Sequence, residues 1–312
     1  MSIADIKGDT PEGFNSPTAL PTNEVQAAKW QEANRSWWES HPMRYDFSEG
    51  VEVQEFTREF YDEVDRRFFS DASGYLPAKK IPFDRLIDFE TLTEKDVLEI
   101  GVGMGSHAQL IATRARSYTG IDLTDYAVKS TTARMLTAGL DRPSIRITRM
   151  DAEKMEFPDN SFDLIWSWGV IHHSSDTRQI LKEMHRILRP GGQAITMVYH
   201  RNFWNYYIYS GLFGGVIKGS LFRSGSLHKV RQTEIDGALA RFYTVPEWKE
   251  LVSEFFTIDE VLIMVSKTEL IPLPGGRLKN AVLGIVPDAV GRLFTNTFKM
   301  GTFLVSTMTK RS

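Results

Sequence analysis

The chain has 312 residues, 42% of them hydrophobic, 25% charged and 12% aromatic, with Lys+Arg 37 against Asp+Glu 40 and no cysteine. The length fits one large domain or two smaller ones, and the apolar fraction fills a sizeable core, which excludes a disordered or fibrous chain. A formal net charge of -3 argues against a polyphosphate backbone as the main ligand, and the missing thiols exclude disulfides, a cysteine nucleophile and thiolate metal sites.

The seven His include no H-E-x-x-H, and no metal is expected. The start, Met1-Ser-Ile-Ala-Asp-Ile-Lys, lacks a basic flank before an apolar run, so no signal peptide is read. No stretch offers ~18 uncharged apolar residues. The expectation is a cytoplasmic protein without a transmembrane segment.

Residues 1–22 carry Gly, Pro, Thr and Asn and read as a flexible tail. A helix is expected from Asn23 to Ser40, bearing Trp30, Trp37 and Trp38, before Pro42 stops it. Phe56, Phe60, Val64 and Phe68 recur at helical spacing and predict a second helix over Val53–Phe69. These segments make residues 23–94 an N-terminal helical cap.

Asp96–Ile100 is a short apolar run ending in glycines, the pattern of a buried strand entering a turn. Strands then alternate with helices. Helices are expected at 106–115, 125–138 and 176–188, and strands at Ser117–Asp122, Ser144–Thr148, Asp163–Ser167 and Gln193–Tyr199. Pro190-Gly191-Gly192 should end the third of these helices. A helix from Pro246 and strands at Thr257–Val265 and Thr302–Thr309 complete seven strands. The alternation predicts an α/β fold: a mostly parallel seven-stranded sheet with helices on both faces. Its core spans 95–200. Two insertions interrupt the remainder. Residues 201–242 form an aromatic lid, and 266–300 form a helical insertion within the C-terminal part, 243–312.

Such sheets bind ligands at the carboxyl ends of their strands, where three groups of residues fall. Gly101, Gly103 and Gly105 follow the first strand, with Glu99 inside it. Glycines allow a sharp turn and close approach of a ligand. A dinucleotide fingerprint places its last Gly or Ala where Ser106 stands here, and Glu99 suits a cationic partner better than a pyrophosphate. Asp122 ends the second strand, where an acid can accept two ribose hydroxyls, in NAD and S-adenosylmethionine sites alike. Asp151 follows the third strand and can accept from an adenine amino group, while Ala152 leaves room for the ring.

In this order and spacing, the glycine motif 99–105, Asp122, Asp151-Ala152, Phe157-Pro-Asp-Asn-Ser-Phe-Asp163 and Leu188-Arg-Pro-Gly-Gly192 resemble the core of class I S-adenosylmethionine-dependent methyltransferases. The small-molecule branch is the nearest match, including Ile171-His172-His173. The N-terminal Trp37-Trp38 and Pro42-Met-Arg-Tyr45 resemble caps in bacterial members. The resemblance covers about a third of the chain and implies a Rossmann-like fold with S-adenosylmethionine as cofactor. It implies that Gly101, Gly103 and Gly105 wrap the methionine part and that Glu99 lies near its amino group. Asp122 would hold the ribose, Leu123 would flank the adenine, and Asp151 and Ala152 would bind its edge. The backbone at Ser167 and Trp168 would face the amino group and open toward the acceptor.

Proton transfer is assigned to His172 before His173, with Tyr199 and His200 as further candidates to touch the acceptor; the competing reading has these side chains cap or pack. His185 reads as structural. The expected reaction is methyl transfer to a small, partly hydrophobic acceptor in a closed, largely apolar pocket under the aromatic insertion. A lipid acceptor met at the membrane surface through Phe203–Phe222 is the alternative. A nucleic-acid or protein methyltransferase, a non-catalytic cofactor-binding module and a dinucleotide oxidoreductase are the rivals. The charge balance, the absence of an Asn/Asp-Pro-Pro-Tyr pattern after the fourth strand and the missing cysteine weigh against nucleic acid.

Overall fold

A computed structural model describes residues 10–45, 52–217, 219–271 and 277–311. Strands β1 (Asp96–Ile100), β2 (Ser117–Asp122), β3 (Ile145–Arg149), β4 (Phe162–Trp168), β5 (Leu188–His200), β7 (Phe256–Met264) and β8 (Phe303–Lys310) lie in the order β3-β2-β1-β4-β5-β8-β7. A two-residue strand, β6 (Phe242–Tyr243), pairs with the end of β5 and makes eight where seven were expected. β8 runs antiparallel to both of its neighbours, and the other pairings are parallel.

Neighbouring residues on each strand serve opposite faces of the sheet. Val97, Trp166, Ile195 and Val305 join one core with Phe68 and Phe83 of the N-terminal region and Ala108 and Ile111. Leu98, Ile165, Ala194 and Leu304 join the other core with Ile180, Leu181 and Met184 of helix Thr177–Ile187 and with Trp248. Helices thus cover both faces. No helix among the described residues is long and apolar enough to cross a membrane.

The cap helices are Glu24–Ser40 and Arg58–Tyr75. The second starts five residues later than its spacing predicts. Thr57 caps it by accepting from the Phe60 N–H, and Phe56, just before, has φ 66°. Phe60, Val64 and Phe68 are buried as predicted, while Phe56 packs from outside the helix. Helix Thr177–Ile187 stops where Leu188 turns extended. Pro190-Gly191-Gly192 then lies within β5 as a bulge, the register jumping from Phe162↔Leu188 to Leu164↔Gln193.

The tail expected over 1–22 is corrected where it is described. Residues 10–22 form a packed strap. Phe14 is 1% exposed and meets Trp30 edge-on at 5.3 Å. The Trp30 indole N–H donates to the Glu12 carbonyl at 2.9 Å, and Arg241 Nε to the Ala19 carbonyl at 2.8 Å. A buried indole and a buried guanidinium both require acceptors, and the strap's backbone provides them. Residues 1–9 lie outside the described part, as do Lys218 and the side chains of Phe213 and Leu278 in the two insertions.

Candidate active site

The carboxyl ends of β1, β2, β3 and β4 open into one cavity of about 610 Å³, within the range of small-ligand sites. Gly101, Gly103 and Gly105 line it, with φ of 81°, 51° and 80°. At Gly101 a Cβ would fall 2.2 Å from Val170 Cγ2, so the turn is packed against the loop after β4. At Gly103 a Cβ would meet nothing within 4 Å. That glycine keeps space open on the ligand side.

Asp122 locks this turn. Its Oδ2 accepts from the Gly103 N–H at 3.2 Å, and its Oδ1 from the Thr124 N–H at 3.0 Å and hydroxyl at 2.8 Å. Burial raises its pKa against these bonds. Leu123, Asp151, Ala152 and Trp168 also line the cavity. Asp151 Oδ1 accepts from the Glu153 N–H at 2.9 Å and from Gln31 Nε2 at 2.9 Å.

Gln31 was not visible as a site residue. It sits on the first cap helix, and its Oε1 also accepts from the Ser175 N–H at 3.1 Å. On the same helix Glu39 accepts from the Asp125 and Tyr126 N–H groups at 2.8 and 3.1 Å. The cap is thus fastened across the ends of β2 and β3. Asn34, between these latches, lines the cavity, and its Oδ1 has no hydrogen-bond partner among the described residues. Trp38 lines the wall edge-on to His173 at 5.1 Å, whereas Trp37 turns away and stacks on His41.

Four expected site residues are not in the lining. Glu99 is buried behind the glycine turn, where the Tyr118 hydroxyl donates to it at 2.5 Å, and desolvation pushes its pKa up to about 8. The Ser167 side chain donates to the Ile100 carbonyl at 3.2 Å. His172 is fully buried, its ring 4.0 Å from Tyr199 and 4.1 Å from His173, and burial holds its pKa well below the usual value. The adjacent His173 reaches the wall instead, with Nδ1 2.7 Å from the Leu239 carbonyl. His200 Nδ1 lies 2.9 Å from the Gly301 carbonyl and serves to pack. Tyr199 does line the cavity, and burial raises its pKa, so the phenol keeps its proton.

The far end of the cavity is walled by the second cap helix and the two insertions. A π-helical segment, Phe203–Ile217, contributes Asn205 and Tyr209; Thr268 and Glu269 come from the other insertion. Trp204 Nε1 donates to the Leu270 carbonyl at 3.1 Å and ties the insertions together. This end sets charged groups among the aromatic side chains expected there. Asp71, Arg231, Glu234, Asp236, Glu269 and Lys279 all line it.

Residues 98–196 match the methyltransferase-domain family. The match spans β1 to β5, the strands whose ends build the cavity. These residues are a methyltransferase domain of the class I S-adenosylmethionine-dependent type. A probable chloroplastic tocopherol O-methyltransferase of Oryza sativa subsp. japonica is 31% identical over 150 residues, which are 46% of this chain and 41% of the relative. A 27-O-demethylrifamycin SV methyltransferase of Amycolatopsis mediterranei is 33% identical over 35% of this chain and 41% of its own. A phthiotriol/phenolphthiotriol dimycocerosates methyltransferase of Mycobacterium tuberculosis is 37% identical over 31% and 35% respectively. The chain therefore spans about two fifths of the length of these curated relatives, and the shared part is the methyltransferase core.

Proposed function

We propose that this protein transfers a methyl group from S-adenosylmethionine to a small acceptor, in the cytoplasm. One observation carries the reading: the cavity that holds the glycine turn and Asp122 continues without a break to the wall built by the insertions. The residues at the first end fit the cofactor. Gly103 leaves open the space a Cβ would fill, Asp122 and Asp151 offer acceptors to hydroxyl and amino groups, and Asn34 Oδ1 awaits a donor. In this reading Gly101, Gly103 and Gly105 cradle the methionine part, Asp122 holds the ribose, and Leu123, Asp151 and Ala152 hold the adenine.

When bound, the sulfonium supplies an already activated methyl group. The chain's own task is to align the acceptor and exclude water, and holding two reactants in line is worth up to ~7–11 kcal/mol. The cap latches at Gln31 and Glu39 close the cofactor side. Tyr199 keeps its proton and acts as a hydrogen-bond donor or wall. His173, rather than His172, stands where it can meet an acceptor proton.

Titration with S-adenosylhomocysteine tests this reading. Asp122→Asn removes the charge behind the ribose contacts, each worth about 1.5–3 kcal/mol, and places an amide against the Gly103 N–H. The dissociation constant should rise about 10- to 100-fold. An unchanged constant removes Asp122 from the cofactor site.

A second reading, in which the acceptor is lipid-like and met at a membrane surface, is favoured by exposed apolar side chains. Phe203 is 68% exposed, Phe222 80% and Ile285 82%, all on the insertions, and exposed apolar side chains that form a contiguous patch mark contact surfaces. Two relatives carry tocopherol and phthiotriol dimycocerosates in their names. Co-sedimentation with phosphatidylglycerol vesicles that is abolished by Phe203→Ser with Phe222→Ser supports it. No association with vesicles removes it.

A further inference from the structure

Among the described residues, four carboxyl groups line the insertion end of the cavity, Asp71, Glu234, Asp236 and Glu269, against two cations, Arg231 and Lys279. Arg231 is engaged already: its Nη1 lies 3.4 Å from Glu234, which also accepts from the Ser210 hydroxyl at 2.5 Å. Neither Asp71 nor Glu269 forms an ion pair within 4.0 Å among the described residues. Among the described residues, the lining thus holds more carboxyl groups than cations, in a place where charge is costly unless matched.

A second, separate observation gives this wall a direction. Asn205 lines the same cavity and is 7% exposed. Its Nδ2 donates to Glu269 Oε2 at 3.1 Å, and its Oδ1 has no partner. The carboxylate fixes that orientation, because turning the amide over would set oxygen against oxygen. What remains at this point of the cavity is one unpartnered acceptor, Asn205 Oδ1, beside a carboxylate whose pKa burial raises despite the Thr302 hydroxyl and the charges of Arg231 and Lys279. An ammonium group offers three donors and no acceptor. A carboxylate or phosphate would meet like charge here, and a neutral alcohol would leave the excess charge unmatched.

The surrounding rings fit the same ligand. Tyr45, Tyr75, Tyr199 and Tyr209 line this region, and tyrosine faces attract cations. Burial raises the pKa of Tyr75 and Tyr199, so they remain neutral phenols. Burial likewise raises Asp71 and Glu269, and Asp71 adds to the effect at Glu269. A bound cation would relieve both.

We propose that the methyl acceptor carries a basic amino group, held by the Glu269 carboxylate and Asn205 Oδ1, with Asp71 adding favourable charge from the cap. The inference rests on the methyl-transfer reading only in taking this end of the cavity as the acceptor's place.

The test is calorimetric titration of the full chain with paired probes, with and without S-adenosylhomocysteine. The pairs are tyramine against tyrosol, hexylamine against hexanol, and tryptamine against tryptophol. In at least one pair the amine should bind 10-fold or more tighter than its alcohol. Glu269→Gln should reduce that preference to less than about 3-fold with S-adenosylhomocysteine affinity retained, and Asn205→Leu should do the same if Glu269→Gln does not fold. Equal affinities within every pair, no binding of any amine, or a preference that survives both variants would overturn the proposal. Failure of S-adenosylhomocysteine to bind would instead overturn the methyl-transfer reading, and the amine preference of the cofactor-free protein would still decide this one.

Discussion

Gly101 and Gly103 stand two residues apart in one turn, both with positive φ, yet alanine should act on them in opposite ways. At either position an L side chain in the left-handed region costs about 1–2 kcal/mol. At Gly103 nothing else is met within 4 Å, so the fold should lose little more than that. At Gly101 the new Cβ falls 2.2 Å from Val170 Cγ2, 2.7 Å from Cγ1 and 2.9 Å from Cβ. The last atom is no flexible tip, so the loop after β4 must move, and overpacking of this kind adds about 1–3 kcal/mol. Gly101→Ala should therefore cost about 2–5 kcal/mol in all, and Gly103→Ala about 1–2 kcal/mol. At about 2–4 °C per kcal/mol in a chain of this size, thermal unfolding should separate the two variants clearly. Binding should rank them the other way once each is compared with its own folded fraction, because a Gly103 Cβ would occupy open space at the lining of the cavity where the cofactor is proposed to sit. Titration with S-adenosylhomocysteine reads this directly. Adding Val170→Ala removes both methyl groups and should restore part of the stability lost in Gly101→Ala, with a coupling of about 1 kcal/mol or more. The reasoning is refuted if Gly103→Ala binds like the parent protein, or if Gly101→Ala unfolds at the parent temperature.

Two further predictions concern stability. Glu99 has its pKa raised from 4.5 to about 8, so the folded state favours its protonated form. That contribution is complete below the usual carboxyl range and is lost as pH rises toward 8, at up to about 1.4 kcal/mol per pH unit. The stability of the parent against denaturant should therefore fall relative to Glu99→Gln between pH 5 and 8, and a stability difference independent of pH would show that Glu99 does not titrate there. Phe14→Ala removes a buried ring between Trp30, His228 and Arg241 and should cost about 3–5 kcal/mol. Amide exchange within residues 10–22 should accelerate sharply, and unchanged protection there would mean the strap is held by its backbone bonds alone.

The parts of this protein that were legible in its sequence are those dictated by neighbours along the chain. β1 and β2 fall on the predicted residues, because an apolar run ending in glycine or aspartate at a strand end is a local pattern. Gly101, Asp122 and Asp151, which line the cavity, were picked out by the same local pattern. Gln31 was not, because its meaning comes from Asp151, 120 residues away. Asn205 and Glu269 are likewise joined across 64 residues, and no spacing rule relates them. His172 and His173 share a single 3₁₀ turn. Which of two adjacent side chains faces a cavity depends on the direction of that turn, and composition carries no trace of it. The strap failed for a related reason: Pro, Gly and Asn make a segment irregular, and irregular backbone packs well when a buried Arg241 and a buried Trp30 need its carbonyls, at Ala19 and Glu12.

The reversal of β8 has a consequence for how such an enzyme can change. Because β8 runs against β5 and β7, the ends of β5 and β7 and the beginning of β8 meet at one edge: Tyr199 pairs with Phe303, and Met264 pairs with Phe303 from the other side. Both insertions leave and return at that edge, so either can lengthen, shorten or be exchanged without shifting a strand, and loop length itself is cheap. The half of the cavity attributed to the methyl donor belongs to β1–β4, and the half attributed to the acceptor belongs to these replaceable pieces and the cap. Inheritance of the chemistry and invention of the specificity are thereby separated in the chain, and a graft of 201–241 together with 265–302 onto a related core is the natural unit of exchange.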